Sequence, residues 1–299
     1  MQRQDYLIRA MLGHNQARLF ALRTTDVARE AQINHQTTPV ATAALGRTLT
    51  MGLVLGAMLK GEETVTVQIK GDGPLQGIVV SANSHGQVKG YVGNPHVDLP
   101  LTVQGKLAVG AGVGRGNLHV IRDLGLKEAY QGTVPLQTGE IGEDFAYYFT
   151  HSEQTPSAVG LGVLVGTDGI PIASGGIVVQ LLPEAIHDDA FIKGLEESLA
   201  GMSAVSSLFG RIHSVEQIVE TVFSALDIRF IDTQEVKFRC DCSWHRFEQG
   251  LITLGPEELQ ELVHTGETVE TICHFCNMRY DFTVEQLREL LVGLGNTRE

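Results

Sequence analysis

All four cysteines of this 299-residue chain fall in two tight pairs near its C-terminal end. Cys240-Asp241-Cys242 is a C-x-C pair, Cys273-His274-Phe275-Cys276 is a C-x-x-C pair, and 30 residues lie between Cys242 and Cys273. A structural zinc site takes four soft ligands in a tetrahedron, with each sulfur about 2.3 Å from the ion. A C-x-x-C turn presents two thiolates at that separation, and a second pair from elsewhere closes the shell. Four unrelated buried cysteines would have no reason to pair in this way. The pattern therefore predicts one Zn2+ per chain, held by Cys240, Cys242, Cys273 and Cys276 in a segment that must fold to bring them together. His245 and His274 stand close enough in sequence to replace a thiolate. Because four cysteines already complete the shell, both are read as solvated neighbours of the site.

Spacing alone leaves two uses of the metal open. A C-x-C pair that oxidises closes a strained ring, which gives a comparatively oxidising potential. Zinc also holds its ligands as thiolates, the form that oxidants attack. A redox switch is thus permitted, and so is a constitutive structural zinc-ribbon module that binds nucleic acid or a protein partner. A thiol–disulfide oxidoreductase is a third reading, but no βαβ pattern frames the C-x-x-C pair.

Charge bears on these alternatives. The chain carries Asp+Glu 35 against Lys+Arg 22, a formal net charge of −13, with no basic block that would attract a phosphate backbone. Residues 232–299 hold six basic and 13 acidic residues, so the cysteine-bearing segment is itself acidic. No nucleic-acid partner is expected. The N-terminal Met1-Gln2-Arg3-Gln4-Asp5 opens no apolar targeting segment. The most apolar stretch, Met51 to Leu59, is about half the roughly 20 residues of a membrane span and reads as the end of a buried helix. A cytoplasmic chain without a membrane anchor is expected, and in a reducing compartment clustered cysteines are metal ligands or redox centres.

The rest of the chain reads as α+β, with an N-terminal β-sheet domain and packed helices over 1–182, a short helical linker over 183–231, and a small zinc-binding domain over 232–299. Short apolar runs broken by turn residues mark strands, as in Thr64 to Ile69 and Gly77 to Val80 around Gly71-Asp72-Gly73-Pro74. A helix is predicted from Pro39 to Leu59, with Ala41, Leu45, Thr48, Leu49 and Gly52 on the face that would meet a sheet, and another from Glu143 to His151. Past Pro183 the strand signals give way to short helices around Ala190 to Leu199 and after a capping box at Ser214 to Gln217. Gly194, Gly201 and Gly210 weaken them, so they need a surface to lean on. The zinc-binding segment is the expected support. It should add helices at Pro256 to His264 and Thr283 to Val292.

Other signals point to structure. Gly110 to Gly116 is glycine-rich, but Asn117 to Ile121 after it is strand-like, so a turn or bulge is expected rather than a phosphate cradle. Asp188-Asp189 and Glu196-Glu197 read as solvated helix faces. No catalytic group is predicted, and the chain is not read as an enzyme.

Phe238-Arg239-Cys240-Asp241-Cys242-Ser243, followed by Cys273-His274-Phe275-Cys276 and Tyr280-Asp281-Phe282, resembles the redox-regulated bacterial heat-shock chaperones, the 33-kDa chaperonin family. The resemblance runs through the chain: Gly71-Asp72-Gly73-Pro74, Tyr130-Gln131-Gly132, Tyr148-Phe149 leading to Ser152-Glu153-Gln154-Thr155-Pro156, and Ser174-Gly175-Gly176 through Leu182-Pro183. It implies an ATP-independent holdase that is inactive when reduced and zinc-bound. Oxidation would form disulfides Cys240–Cys242 and Cys273–Cys276, expel zinc, and unfold the metal domain and linker. The partners it implies are unfolded or oxidatively damaged client proteins, bound by a homodimer. Phe191, Leu208, Phe209, Val222 and Phe223 would then be available to clients.

Overall fold

In the N-terminal part, alternating apolar residues closed by glycine-containing turns become strands in the computed structural model, which describes residues 4–202, 204–212 and 214–296. A hairpin of β1 (Tyr6–Leu12) and β2 (Ala17–Arg23) is followed by helices α1 (Thr25–His35) and α2 (Pro39–Gly56). Next come β3 (Thr64–Gly71), β4 (Ile78–Asn83), β5 (Gln87–Val92), the short helix α3 (Val109–Val113), β6 (Gly116–Asp123) and β7 (Tyr130–Pro135). Helix α4 (Gly142–His151) precedes a second hairpin, β8 (Ser157–Val165) and β9 (Pro171–Leu181). Helices α5 (Asp189–Ala200), α6 (Val205–Arg211) and α7 (Val215–Val222) then lead into β10 (Ile228–Glu235) and β11 (Lys237–Phe238). The fold is α+β, as expected.

These strands form a five-stranded antiparallel sheet in the order β10-β1-β2-β9-β8 and a six-stranded sheet in the order β11-β5-β4-β3-β6-β7. The predicted hairpin is β3 with β4, with Val67 opposite Val80. Helix α2 contacts β3, β4 and β5 of one sheet and β8 and β9 of the other. Its burial is therefore not confined to the one face expected, since nearly every residue from Val40 to Gly56 is buried. A helix that is apolar all round is a core helix, and this one fills the space between two sheets. A Cβ on Gly52 would lie 2.6 Å from Val80 Cγ1, so glycine permits the close approach to β4. Its buried hydroxyls are satisfied locally: Thr48 donates to the Ala44 carbonyl and Thr50 to that of Gly46, both at 2.8 Å. The glycine-rich run after Ala108 is a five-residue helix, α3, rather than a plain turn, and the strand expected after it is β6.

The described chain divides into two compact units, Met1–Arg239 and Cys240–Glu299. The division lies beyond the expected boundary at 231/232 because the segment crossing that point is strand β10, paired along its length with β1. One step further, β11 pairs with β5, so the segment from Ile228 to Phe238 contributes to both sheets.

The expectation that the 183–231 helices lean on the metal-binding segment is corrected by their packing. Phe191, Leu195, Val205, Leu208, Phe209, Val215, Ile218, Val219 and Phe223 form one core with Ile8, Leu19, Ile177 and Val179 of the five-stranded sheet. A Cβ on Gly175 would fall 2.7 Å from the Phe209 ring, so that glycine leaves the seat for it. Polar ties add to the packing. Asp188 is no solvated face residue: it caps α5 by accepting from Phe191 N–H, and it accepts from Gln16 as well. The buried Arg23 guanidinium donates to the Phe209 and Ile212 carbonyls at the end of α6. Ser214 caps α7 as expected, and the Tyr6 hydroxyl donates to Glu216 while accepting from Val215 N–H.

Asp5 shows how the sheet fixes α1. Thr24, at the helix start, makes no side-chain cap. Asp5 does it from a distance, accepting from Thr25 N–H at 3.0 Å and Val27 N–H at 2.9 Å. Burial pushes its carboxyl up to about 6, against the opposing effect of these backbone donors. A folded-state pKa above the ordinary carboxylate value means the folded chain binds the proton more tightly. That contribution is present below about pH 4 and lost as pH rises through about 6. Relative to Asp5→Asn, which does not titrate, the parent chain should therefore gain stability as pH falls from about 7 to about 4.5. Asp5→Ala should cost about 1–3 kcal/mol at neutral pH because it orphans two buried N–H groups. Urea unfolding followed by far-ultraviolet circular dichroism measures both.

Candidate metal centre

The second unit opens on the cysteines. Cys240 and Cys242 lie on the stretch ahead of helix α8 (Trp244–Ile252), where Ser243 accepts from Arg246 N–H and caps the helix. In an extended chain residues i and i+2 face the same side, which lets a C-x-C pair aim both sulfurs at one point. Helix α9 (Pro256–Thr265) precedes strands β12 (Val269–Ile272) and β13 (Arg279–Phe282), and α10 (Val284–Asn296) ends the described chain. The predicted helix starts at Pro256 and Thr283 hold. Thr283 N–H donates to Gln286 Oε1, and Gln286 N–H returns the bond to Thr283 Oγ1.

The C-x-x-C pair sits in the β12–β13 turn. Met278 O accepts from Cys273 N–H at 2.9 Å, Cys273 O accepts from Cys276 and Asn277 N–H, and Asn277 adopts a left-handed φ of 55°, which asparagine tolerates. Beneath the turn a small core gathers Leu251, Leu259, Phe282 and Leu287, with Trp244 stacked on Phe282 and Phe247 stacked on Tyr280.

All four cysteine sulfurs lie within 4.8 Å of one another. Cys240 Sγ is 3.7 Å from Cys273 Sγ, and Cys242 Sγ is 3.4 Å from Cys276 Sγ. A tetrahedron with sulfur about 2.3 Å from a central ion has edges of about 3.8 Å. The cage therefore matches one tetrahedral ion and is too small to enclose a multi-iron cluster. Its all-sulfur donor set suits a soft or borderline cation. The four predicted ligands are brought together, and among the described residues they are the one group found in metal-holding proximity. Neither histidine joins them: His245 is exposed and pairs with Glu248 at 2.7 Å, and His274 is exposed in the turn.

The sulfurs are not equivalent. Burial pushes the Cys240 thiol up to about 11, opposed by Cys242 N–H, and burial raises the Cys276 thiol too. Burial acts the same way on Cys242. There it is outweighed by the Tyr280 hydroxyl and by bonds from Cys276, Cys240 and Cys273, so Cys242 falls below the usual thiol value. Tyr280 in turn is pushed up to about 12, first by its bond to Cys242 and then by desolvation. The role of Tyr280 was not legible in the sequence beyond its place in the Tyr280-Asp281-Phe282 motif. A clue lies in strand alternation, because Tyr280 and Phe282 share a face of β13.

An α+β unit of two sheets around a buried helix, followed by a small unit built on a four-sulfur cage, defines a distinct class of protein. The chain matches the Hsp33 protein family over residues 5–283 and belongs to it. It is 46% identical over 288 residues to the 33 kDa chaperonin of Desulforamulus reducens, covering 96% of this chain and 97% of that protein. It is 48% identical over 290 residues to the 33 kDa chaperonin of Thermoanaerobacter pseudethanolicus, covering 96% and 98%. The crystal structure of the 33 kDa chaperonin (heat shock protein 33 homolog) from Thermotoga maritima matches with a TM-score of 0.90 at 34% identity, over 99% of this chain and 100% of that one. Family membership supports a chaperone role. No helix among the described residues is long and apolar enough to cross a membrane.

The cage should bind one divalent ion per chain through sulfur alone. Cys273→Ser should weaken binding severely, because a hydroxyl is a poor substitute for thiolate. X-ray absorption of the zinc-loaded chain checks the first claim: a first shell containing nitrogen would contradict it.

Proposed function

We propose that the protein is a redox-regulated, ATP-independent holdase of the cytosol, which protects unfolding and oxidatively damaged proteins from aggregation. In this reading the reduced chain binds one Zn2+ through Cys240, Cys242, Cys273 and Cys276 and is inactive. The observation that carries it is the four-sulfur cage in a unit with so small a core. A segment of this size rarely supports its own fold, whereas a structural zinc contributes on the order of 10–16 kcal/mol. Zinc supplies the positive charge that holds four thiolates together.

Oxidation then acts on the ligands themselves. Two thiolates give up two electrons to hydrogen peroxide and form one disulfide, while peroxide takes up two protons and leaves as two waters. The pairing proposed is Cys240–Cys242 and Cys273–Cys276, since near neighbours in sequence close with the least loss of chain entropy. A disulfide sulfur is a poor metal ligand, so the ion leaves and the unit unfolds. Arg239 alone separates Cys240 from β11, so unfolding frees the C-terminal end of the β10–β11 segment. Upstream, α5, α6 and α7 have 12, seven and eight residues, none long enough to be stable alone. Their release would expose Phe191, Leu208, Phe209, Val222 and Phe223 together with the sheet residues Leu19 and Ile177 beneath them. The active species proposed is a homodimer.

Light scattering of a heat-denatured client tests the function. Peroxide-oxidised chain should suppress aggregation without ATP, while reduced, zinc-loaded chain should not. Equal activity in both states would instead mean a constitutive structural metal module.

Mass spectrometry on the same oxidised sample tests the route. Peptide mapping should find the two short-range disulfides, and hydrogen exchange should show deprotection from about Pro183 onward. Protection should be nearly unchanged at Val65–Ile69 and Ile177–Gln180. Cross-pair disulfides as the main species, or a linker that stays protected, would contradict the route.

A further inference from the structure

Tyr280 makes a contact with the cage that the ligand count does not explain. Across the β12–β13 ladder it stands opposite Thr271, and its hydroxyl donates to Cys242 Sγ at 3.2 Å. The ring is held independently of that bond, stacked on Phe247 with centroids 4.9 Å apart and planes 29° apart. The hydroxyl is therefore aimed by the strand and by the stack.

We propose that Tyr280 is a positioning residue that sets how tightly the centre holds its metal and how readily peroxide opens it, acting through Cys242. The inference rests on the reading of the centre as an oxidation-labile metal site. An O–H donor draws charge from a thiolate, which makes the sulfur a weaker nucleophile, and its fixed direction holds the sulfur oriented toward the centre of the cage. In the first step of oxidation a sulfur lone pair attacks a peroxide oxygen, the O–O bond breaks, and a sulfenic acid and hydroxide result. The second thiolate of the pair displaces a second hydroxide to form the disulfide, and two solvent protons convert both hydroxides to water. Tyr280 slows the first step at Cys242, and hence closure of Cys240–Cys242. It leaves Cys273–Cys276 less affected.

Tyr280→Phe keeps the ring and removes the donor. Partners of metal ligands commonly change metal affinity by roughly 10–100-fold. In the full-length variant, zinc should pass to a competing chelator at about tenfold lower chelator concentration, and peroxide should release it faster by a comparable factor. Differential alkylation should show the acceleration at Cys240 and Cys242. With cobalt(II) in place of zinc, the sulfur-to-metal charge-transfer band should move to longer wavelength, because a thiolate without its donor is more electron-rich. Emission of Trp244, the one tryptophan of the chain, reports whether the unit stays folded. 4-Aminophenylalanine at position 280 restores a donor and should restore the parent band. Unchanged band position and zinc affinity in Tyr280→Phe would overturn the proposal. So would failure of the amino analogue to restore them in a chain that still binds cobalt through four sulfurs. A parent chain that binds cobalt without sulfur ligation would overturn the metal-centre reading and this inference with it, a result distinct from the other two.

Discussion

Four cysteine sulfurs lie within 4.8 Å of one another, and as thiolates they would repel strongly. Two unit charges about 4 Å apart interact by about 1 kcal/mol in water and about 4 kcal/mol at a protein surface, and a four-sulfur cage contains six such pairs. A divalent ion at the centre reverses the sign, because each sulfur then lies closer to the cation than to any other sulfur. In the proposed function the unit that begins at Cys240 depends on this balance. Its buried core is Leu251, Leu259, Phe282 and Leu287, with stacked aromatics around it, and the β12–β13 ladder is four residues long. Metal ligation and folding are the same event in such a segment.

The unit before it is built on the opposite principle. Helix α2 buries all its faces between two sheets, and its buried hydroxyls bond within the helix, to Thr37 just ahead of it, or, for Thr50, to Thr24 as well. Between these extremes lie α5, α6 and α7, which share a core with the five-stranded sheet but are short and are secured by a few polar ties from Tyr6, Gln16 and Arg23. In the proposed function this gradation is the mechanism. A unit that depends on its ion follows, across β10 and β11, three short helices held by a modest surface, while the sheet strands before Pro183 keep their fold.

The sequence by itself picked out the four cysteines that cluster and many element starts, because these signals are local. Two cysteine pairs with none left over name their own donor set, Pro39 and Pro256 open helices by their fixed φ, and Thr283 with Gln286 closes a reciprocal cap. Tertiary structure decided what each apolar face meets. Helical periodicity in 183–222 shows that a surface is needed but cannot say which, and the five-stranded sheet proved to be that surface. Likewise α2 reads as one-sided until a second sheet covers it, and residue 231 reads as a boundary until Ile228–Glu235 pairs with β1. The cap that Asp5 places on α1 and the bond from Tyr280 to Cys242 join residues 20 to 38 positions apart. Spacing constrains residues within a turn or a strand of one another. Partners at longer range are chosen by how the sheets pair and stack, and only the folded chain displays that choice.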